Sequence, residues 1–236
     1  MSRETSVRQS VITVALALLA GFAGAALWSV TGLGDRHTRA YLLANPDILP
    51  QMADALQRAD AQKRLAGLER QVEAPFPGAV LGNPNGTRTL VEFTDYACGY
   101  CRQSVAHVQA LIKADPELKV VIREWPIFPG SEEAARMSLA AAAQGKFAAF
   151  HDAMFAAGPP SSASIARAGE AAGLDMAAAA AFARSEPVTR EIARNMALAE
   201  QLGFTGTPSW IAEGEVIQGA VGPERLSAAL KGRGTE

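Results

Sequence analysis

Cys98 and Cys101 are the only cysteines among the 236 residues, and they belong to one motif, Cys98-Gly99-Tyr100-Cys101. The motif follows an apolar stretch and opens a predicted helix, so both sulfurs fall within the first helical turn, close enough for a disulfide bond. The unpaired N–H groups and partial positive charge of a helix N-terminus would stabilise a thiolate at Cys98. Because the thiolate is the species that attacks disulfides, the motif predicts thiol–disulfide exchange, with Cys101 as the deeper, resolving thiol.

The same pair of cysteines allows other interpretations. A structural disulfide over so short a loop would constrain the unfolded chain very little. Zinc would need two further ligands, and the three histidines, His37, His107 and His151, lack zinc-finger spacing. Two soft thiolates could hold Cu(I), so a copper-handling protein is the alternative function. A membrane-tethered interaction module with an inactive motif is a third. We expect no cofactor and no resident metal.

Glu92 lies in the middle of a predicted strand, six positions before Cys98. If Glu92 is buried, its pKa rises and its carboxylate can accept the proton of the second thiol. If the alternation of the strand instead turns Glu92 to solvent, the residue is ordinary, and the sequence leaves both possibilities open. We interpret Arg123 and Glu124 as the end of a strand, and His107 and His151 as structural or solvated.

The overall composition excludes several classes of protein. Hydrophobic residues make up 49% of the chain, which permits a sizeable core. The 22 basic and 24 acidic residues give a net charge of −2, so we expect no nucleic-acid partner. With two cysteines, the chain is not a disulfide-stapled scaffold.

The N-terminal residues 1–34 are predicted to be a targeting segment. Arg3 and Arg8 precede residues 11–30, which carry no charge and would span about 30 Å as a helix, the thickness of a bilayer core. We expect these residues to anchor the chain in the bacterial inner membrane, with the remainder in the periplasm. The alternative is a signal peptide cleaved after Ala23-Gly24-Ala25.

Residues 35–74 are predicted to form an N-terminal helical region, with a helix over about 36–44 and a longer one over about 47–72. Leu49, Met52 and Leu56 keep a spacing of three to four residues, but the phase slips before Leu65. This interrupted repeat predicts an amphipathic stalk or oligomerisation segment, or a helix that packs on its own domain.

Residues 75–236 show an α/β pattern. We predict strands near 79–81, 89–94, 118–125, 208–212 and 215–218, and helices over about 99–113 and from about 223. Asn85-Gly86 is a hairpin turn signal between the first two strands. Residues 131–202 are almost entirely helical in pattern, so we expect an α/β fold with an inserted helical subdomain.

Two segments of this region resemble the DsbA-like branch of the thioredoxin superfamily. They are residues 91–101, VEFTDYACGYC, and residues 206–210, GTPSW, and the resemblance extends over about 76–234. It implies a thioredoxin fold with an inserted helical domain, in which Cys98 is the exposed nucleophile and Cys101 the resolving thiol. It also implies a cis peptide bond at Pro208, packed against the cysteines, and pairing of the Thr207 backbone with substrate. Glu92 falls where this family often keeps a buried acid.

Residues 41–50, YLLANPDILP, resemble the N-terminal region of ScsC-type members, some of which form oligomers and isomerise disulfides. The Gly-Tyr dipeptide differs from the Pro-His of DsbA, and the loss of that histidine implies a less oxidising couple. The resemblance therefore implies an enzyme that forms or isomerises disulfides in exported proteins. Its partners would be unfolded or partly folded proteins with cysteines and a membrane redox partner, and the chain would be able to form a homo-oligomer.

Overall fold

A computed structural model describes residues 2–30 and 33–232 of the chain. The chain divides into two compact units, residues 1–56 and residues 57–236. The first unit contains helix α1 (Ser2–Val30), helix α2 (Leu33–Ala44) and the beginning of helix α3 (Ile48–Leu65). Helix α2 begins three residues before the predicted start at residue 36, and Asn45 separates it from the next helix, as its position before a proline suggests.

Helix α1 covers the predicted membrane segment. The side chains described in this helix are those of residues 12–28, and their large apolar members, among them Leu18 and Phe22, are exposed. The side chains of Val11 and of residues 29–30, which belong to the predicted segment, lie outside the described part. Among the residues that the structure describes, no helix combines the length and the apolar character needed to cross a bilayer. The predicted membrane segment is therefore not confirmed.

The predicted continuous helix over residues 47–72 is wrong, because helix α3 ends at Leu65 and a short helix α4 (Glu69–Glu73) follows. Gly67 adopts φ +87° between them, a conformation that favours glycine and cannot continue a helix. The break coincides with the slip in apolar phase. Leu65 and Val72 are buried against the sheet of the second unit, whereas Leu49, on the other side of the slip, is exposed.

The second unit is built on a five-stranded mixed sheet in the order β1-β3-β2-β4-β5. Its strands are β1 (Val80–Gly82), β2 (Arg88–Thr94), β3 (Leu118–Glu124), β4 (Ser209–Ala212) and β5 (Glu215–Gln218). Strands β2 and β3 are parallel, and the other neighbouring pairs are antiparallel. Helix α5 (Gly99–Ala114) connects the two parallel strands, as a parallel crossover requires.

The predicted hairpin between the first two strands is wrong. Strand β3 lies between β1 and β2, so the turn at Asn85-Gly86 joins strands that are not neighbours. The Gly86 amide donates to the carbonyl of Asn83, and a Cβ at Gly86 would clash with the Glu117 carbonyl. The turn therefore packs against the start of β3 instead of closing a ladder.

A run of five helices separates β3 from β4, as predicted for residues 131–202. They are α6 (Ser131–Ala143), α7 (Phe147–Ala156), α8 (Ser162–Ala171), α9 (Met176–Ala183) and α10 (Glu186–Leu202). Small alanine side chains allow close packing, and Phe150, Met154 and Phe155 fill the core between these helices. Helix α11 (Pro223–Leu230) closes the described chain and packs beside α5.

The two faces of the sheet carry different side chains because strand residues alternate. On one face, Leu90 and Ile122 belong to a core shared with helices α5, α6 and α11. On the other, Val91 and Phe93 pack with Leu202 of α10. Glu92 therefore shares the face of Leu90, towards the helix that begins after Cys98.

Candidate functional site

The cysteine motif lies where strand β2 gives way to helix α5. Cys98 is the N-terminal flanking residue of the helix, with its amide donating to the Asp95 carbonyl, and Cys101 lies in the first turn. Neither sulfur is in a disulfide. The intervening Gly99 and Tyr100 are exposed, so the surface of the motif is formed by the two residues between the cysteines.

Cys98 is not the exposed residue that the family resemblance implied. Its residue surface is 3% accessible, and that of Cys101 is 0%. The Cys98 thiol donates a hydrogen bond of 3.2 Å to the carbonyl of Thr207, and both cysteines pack in an apolar cluster with helices of the insert. The loop before β4 and the inserted helices therefore cover Cys98, an effect of tertiary packing that the local sequence does not encode.

The Thr207–Pro208 peptide bond is cis, as the resemblance implied. Its loop is held by a hydrogen bond from the Gly219 amide to the Pro208 carbonyl and by one from the Ser209 hydroxyl to the Gly206 carbonyl. Although Pro208 follows Cys98 by more than one hundred residues, the pairing of β4 with β2 brings its loop to the cysteine motif. The Thr207 carbonyl therefore lies at the Cys98 sulfur.

Glu92 is buried, which decides between the two possibilities that the sequence left open. Burial, against a lowering by the Thr94 hydroxyl and with smaller contributions from the nearby Glu124 and Cys98, raises the pKa of its carboxyl to about 8. A carboxyl with this pKa gains and loses a proton near neutral pH. Glu92 therefore has the proton affinity that a general acid–base group needs.

Cys101 is the thiol that Glu92 influences. Burial raises the pKa of Cys101 well above its usual value, and the negative charge of Glu92 raises it further. The Thr94 and Thr207 hydroxyls, which have no partner of normal hydrogen-bond geometry among the described residues, lower this pKa by less. Cys101 therefore holds its proton firmly unless a base removes it.

Asp95 is a structural residue of the site that the sequence analysis missed. One carboxylate oxygen accepts the Ala97 amide at 2.7 Å. The other accepts the amides of Ile127 and Phe128 and the hydroxyl of Ser131. Asp95 thus ties the turn before Cys98 to the loop after β3. An aspartate three residues before the residue that flanks the helix is a local turn signal that could have revealed it.

A second group of residues that the sequence analysis missed surrounds Glu124 at the end of β3. Its Oε1 accepts hydrogen bonds from the Tyr96 hydroxyl at 3.1 Å and the Ser138 hydroxyl at 2.6 Å. Tyr96 also lies 3.1 Å from Nδ1 of His151, which is itself buried. A carboxylate within an apolar strand is the sequence signal that marks Glu92, and the same signal marks Glu124.

An open cleft of about 500 Å³ adjoins the cysteine motif. Tyr100 lines one side, and the other is lined by the loop around Thr207 and by the end of β5 with the residues after it. Tyr100 is 63% exposed and so is available for contact. The cleft offers backbone groups and an aromatic surface beside a buried thiol.

The copper alternative receives no support from this geometry. Among the described residues, no group of three or more His, Cys, Asp and Glu side chains could hold a metal ion. Copper would be bound by thiolates, whereas burial and Glu92 keep Cys101 as a thiol.

The fold and the site together define the class of protein. A mixed sheet with a Cys-x-x-Cys motif at the N-terminus of the crossover helix, and a cis-proline loop at the first sulfur, is the arrangement of a thioredoxin-like protein. Five helices inserted after β3 complete the expected architecture. The prediction of an α/β thioredoxin-like fold with a helical insertion is confirmed.

The comparison with known protein families supports the same fold. Residues 89–231 match the family described as DSBA-like thioredoxin domain, and this match covers more than half of the chain. The chain belongs to this family. The prediction of an enzyme of the thiol–disulfide oxidoreductase class is thereby confirmed.

Three solved structures illustrate the similarity. A thioredoxin-like oxidoreductase from Silicibacter pomeroyi DSS-3 is 44% identical, with a TM-score of 0.62, over 64% of this chain and 89% of that one. A periplasmic thioredoxin-like protein from Salmonella enterica serovar Typhimurium is 28% identical, with a TM-score of 0.60, over 70% and 94%. The catalytic domain of Proteus mirabilis ScsC is 22% identical, with a TM-score of 0.64, over 72% and 96%, and shows a shared fold.

One relative is a much longer protein. The Na(+)/H(+) antiporter NhaA of Herminiimonas arsenicoxydans is 31% identical over 161 residues, which make up 66% of this chain. The matched part is 26% of the antiporter, so the chain spans about a quarter of that protein. The similarity therefore concerns one part of a longer protein.

Proposed function

We propose that the chain forms or isomerises disulfides in exported proteins, with Cys98 as nucleophile and Cys101 as resolving thiol. The observation that supports this most strongly is the contact between the Cys98 sulfur, at the N-terminus of α5, and the Thr207 carbonyl beside the cis peptide bond. The unpaired N–H groups at the start of a helix interact favourably with negative charge that develops on a reacting sulfur. The open cleft beside it has room for a polypeptide substrate.

In the oxidising direction, a substrate thiolate attacks the Cys98 sulfur of the Cys98–Cys101 disulfide. The bond between the two cysteines breaks, a mixed disulfide forms, and Cys101 leaves and takes a proton from Glu92. A second substrate thiolate then attacks the substrate sulfur of the mixed disulfide. The substrate gains a disulfide, Cys98 leaves as a thiolate, and two electrons remain on the enzyme.

Isomerisation uses the reduced pair. The Cys98 thiolate attacks a wrong substrate disulfide and releases one substrate thiolate, which can attack elsewhere in the substrate until Cys98 is displaced. If displacement is slow, Glu92 takes the proton of Cys101, and Cys101 attacks the Cys98 sulfur to release the substrate in reduced form. The raised pKa of Cys101 supports a need for this base.

The loop at Thr207 and Pro208 supports a role in binding substrate backbone. Extended peptides pair with exposed backbone groups, and the Thr207 segment lines the cleft beside Cys98. We expect substrates to be unfolded or partly folded proteins with cysteines, because such chains can present an extended segment. Net oxidation also needs a redox partner that removes two electrons per cycle, and we propose a membrane protein for that role.

The test is refolding of scrambled and of reduced ribonuclease by matched serine variants. We expect Cys98→Ser to lose essentially all activity, since no nucleophile remains. We expect Cys101→Ser to accumulate a covalent complex with substrate that a reductant dissolves, since the mixed disulfide can form without being resolved. The readout is ribonuclease activity together with nonreducing electrophoresis.

The two serine variants serve as each other's control, because both replace one sulfur by oxygen in the same helical turn. Cys98→Ser activity close to that of the unchanged protein would overturn the proposed function. Trapping of substrate by Cys98→Ser, but not by Cys101→Ser, would reverse the two roles.

We further propose that residues 1–34 direct export and anchor the chain in the inner membrane, with the remainder in the periplasm. Support comes from the uncharged run over residues 11–30 behind Arg3 and Arg8, and from the exposed apolar side chains of α1. The alternative is that this segment directs export as a signal peptide and is then cleaved, which would release the rest of the chain into the periplasm. Membrane fractionation with the mass of the exported protein separates the two, and retention of the chain in the cytoplasm would refute both.

For residues 35–74 we propose a stalk that assembles copies of the chain, in front of a catalytic domain over 75–236 with its insertion at about 131–202. Leu49, Met52 and Leu56 are all more than half exposed, at a spacing that forms one helix stripe. Burying such a stripe in a second copy would remove apolar surface from water. A monomeric mass in solution for the full chain would exclude the assembly.

A further inference from the structure

Glu124 is a second buried carboxyl near the cysteine pair, and the proposed chemistry does not use it. Strands β2 and β3 are in parallel register, with Glu92 opposite Ile122 and Thr94 opposite Glu124. Glu92 and Glu124 thus lie on one face of the sheet, on neighbouring strands and two residues apart along the strand. Strand spacing and rise place their Cα atoms about 8 Å apart.

The two carboxyls differ in the hydrogen bonds that they receive. Tyr96 and Ser138 both donate to Oε1 of Glu124. The Thr94 hydroxyl lowers the pKa of Glu92, but it has no hydrogen-bond partner of normal geometry among the described residues. Burial raises both pKa values to about 8, but donated hydrogen bonds favour the charged form of a carboxyl, so we expect Glu124 to ionise ahead of Glu92. Its charge then opposes ionisation of Glu92.

The groups that surround the pair do not neutralise this charge. Strand β2 and the turn after it contribute Asp95 and Tyr96, helix α5 contributes the two thiols, helix α6 contributes Ser138 and helix α7 contributes His151. Burial lowers the pKa of His151 to about 3, so it is neutral. Among the described residues, no lysine or arginine is one of the groups that shift the pKa of either carboxyl.

We propose that Glu124 is a positioning residue for proton transfer at the redox site: the hydrogen bonds from Tyr96 and Ser138 make it the first member of the pair to ionise, and its charge then strengthens the hold of Glu92 on the proton exchanged with Cys101. This rests on the proposed function, in which Glu92 exchanges that proton. An ordinary glutamate is far more acidic than a thiol, so a proton passes between them only at a large cost. The charge of Glu124 brings the two proton affinities closer together.

The test is a titration of Glu92 in the reduced full chain, with and without Glu124→Gln. Glutamine is nearly isosteric and still accepts from Tyr96 and Ser138, but it carries no charge. The readout is the NMR signal of the side-chain carboxyl carbon, assigned by its loss in Glu92→Gln. We expect the midpoint of Glu92 to fall by about one pH unit or more in Glu124→Gln, the size of coupling that marks an interacting pair.

Glu133→Gln is the matched control, because it removes the same charge from an exposed position of helix α6. It should leave the Glu92 midpoint unchanged. A Glu92 midpoint that is unaltered or raised in Glu124→Gln would overturn the proposal. The pH profile for resolution of the mixed disulfide should move to lower pH together with the midpoint, and a profile that stays in place would also overturn it.

Tyr96→Phe provides a second variant if Glu124→Gln does not fold. Loss of the hydroxyl weakens the hold on the Glu124 charge, so the Glu124 midpoint should rise while that of Glu92 falls. A merely structural disturbance would not shift the two carboxyls in opposite directions. The titration needs no turnover, so a chain inactive in the ribonuclease assay would refute the proposed function while the midpoints still decide the coupling.

Discussion

Arg123 and Glu124 are consecutive residues of strand β3, both buried, and they face opposite sides of the sheet. Arg123 is surrounded by acceptors: the Glu191 carboxylate, the Asn195 side chain and the carbonyls of helix α4. Glu124 has two donors on one oxygen, and its buried Oε2 has no partner among the described residues. Burial opposes the charge on both faces, but the acceptors around Arg123 compensate its charge, whereas burial favours the protonated form of Glu124.

The partners of Arg123 indicate a structural role. Its guanidinium donates to the carbonyls of Gln71, Val72 and Ala74, at the end of helix α4 where carbonyl groups lack helical partners. Although burial lowers the pKa of Arg123 to about 10, the group remains charged at neutral pH, in part because Glu191 raises it. Arg123 therefore fastens α4 to the sheet on the face away from the thiols.

Replacing Arg123 should cause the largest loss of stability. Arg123→Met removes the side-chain donor of the Val72 and Ala74 carbonyls and leaves Glu191 with the more exposed Arg194 at 3.8 Å. These losses should lower the free energy of unfolding by roughly 3–5 kcal/mol. Urea denaturation under reducing conditions measures this. Arg225→Met is the control, since it breaks the pair between Arg225 and Glu215 at a more exposed site. We expect the control to cost less than about 1 kcal/mol.

An Arg123→Met protein as stable as the unchanged one would break the comparison, because the ion pair would then contribute nothing to the fold. A large loss in Arg225→Met would also break it, by showing that partial exposure does not weaken such pairs in this chain.

The carboxyls on the face of Glu124 should make the stability of the fold depend on pH, because burial there opposes a charge that no cation compensates among the described residues. Burial raises the pKa values of Glu92 and Glu124 to about 8 from 4.5, so the folded chain keeps protons that the unfolded chain releases. Stability is therefore lost as pH rises from 4.5 to 8. Burial lowers the pKa of His151 from 6.5 to about 3, so its contribution grows with pH up to 6.5 and is then constant.

Among the described residues, Glu92 and Glu124 are the carboxyls whose raised pKa values act between pH 6.5 and 8, and each should lower the free energy of unfolding by about 2 kcal/mol over this interval. Urea denaturation of the reduced protein at the two pH values measures the fall. Glu92→Gln and Glu124→Gln should each remove part of it, whereas Glu133→Gln should not. A free energy of unfolding that stays level or rises across this interval would contradict the interpretation that both carboxyls are buried without a compensating positive charge.

Much of the fold could be predicted because its signals are local. Alternating apolar residues gave strands β2 and β3, and Pro223 began the last helix near its predicted start. The order of strands could not be predicted in this way. Asn85-Gly86 is a strong turn signal, yet the ladder that forms is between β1 and β3, because hydrogen bonds between distant segments decide the pairing.

The residues of the candidate site likewise fall into those that local sequence predicts and those that only the tertiary structure reveals. The cysteine motif and its place at a helix start were evident from spacing, and the family resemblance supplied Thr207 and Pro208. The burial of Cys98 depends on a carbonyl 109 positions later in the chain. The roles of Asp95 and Glu124 depend on donors from the loop after β3 and from helix α6. Such partners have no fixed spacing in sequence, so no local pattern predicts them.

The sequence by itself determined that two thiols share one helical turn after an apolar strand, because both the helix period and the strand alternation are properties of neighbouring residues. Only the tertiary structure decided which ionisable groups lose contact with water. Glu92 and Glu124 become proton-holding acids, and Arg123 a buried cation, because helices from both sides of the sheet exclude solvent from the strands. The free energy of a charge depends on the groups around it in three dimensions, and the chain supplies those groups from positions far apart.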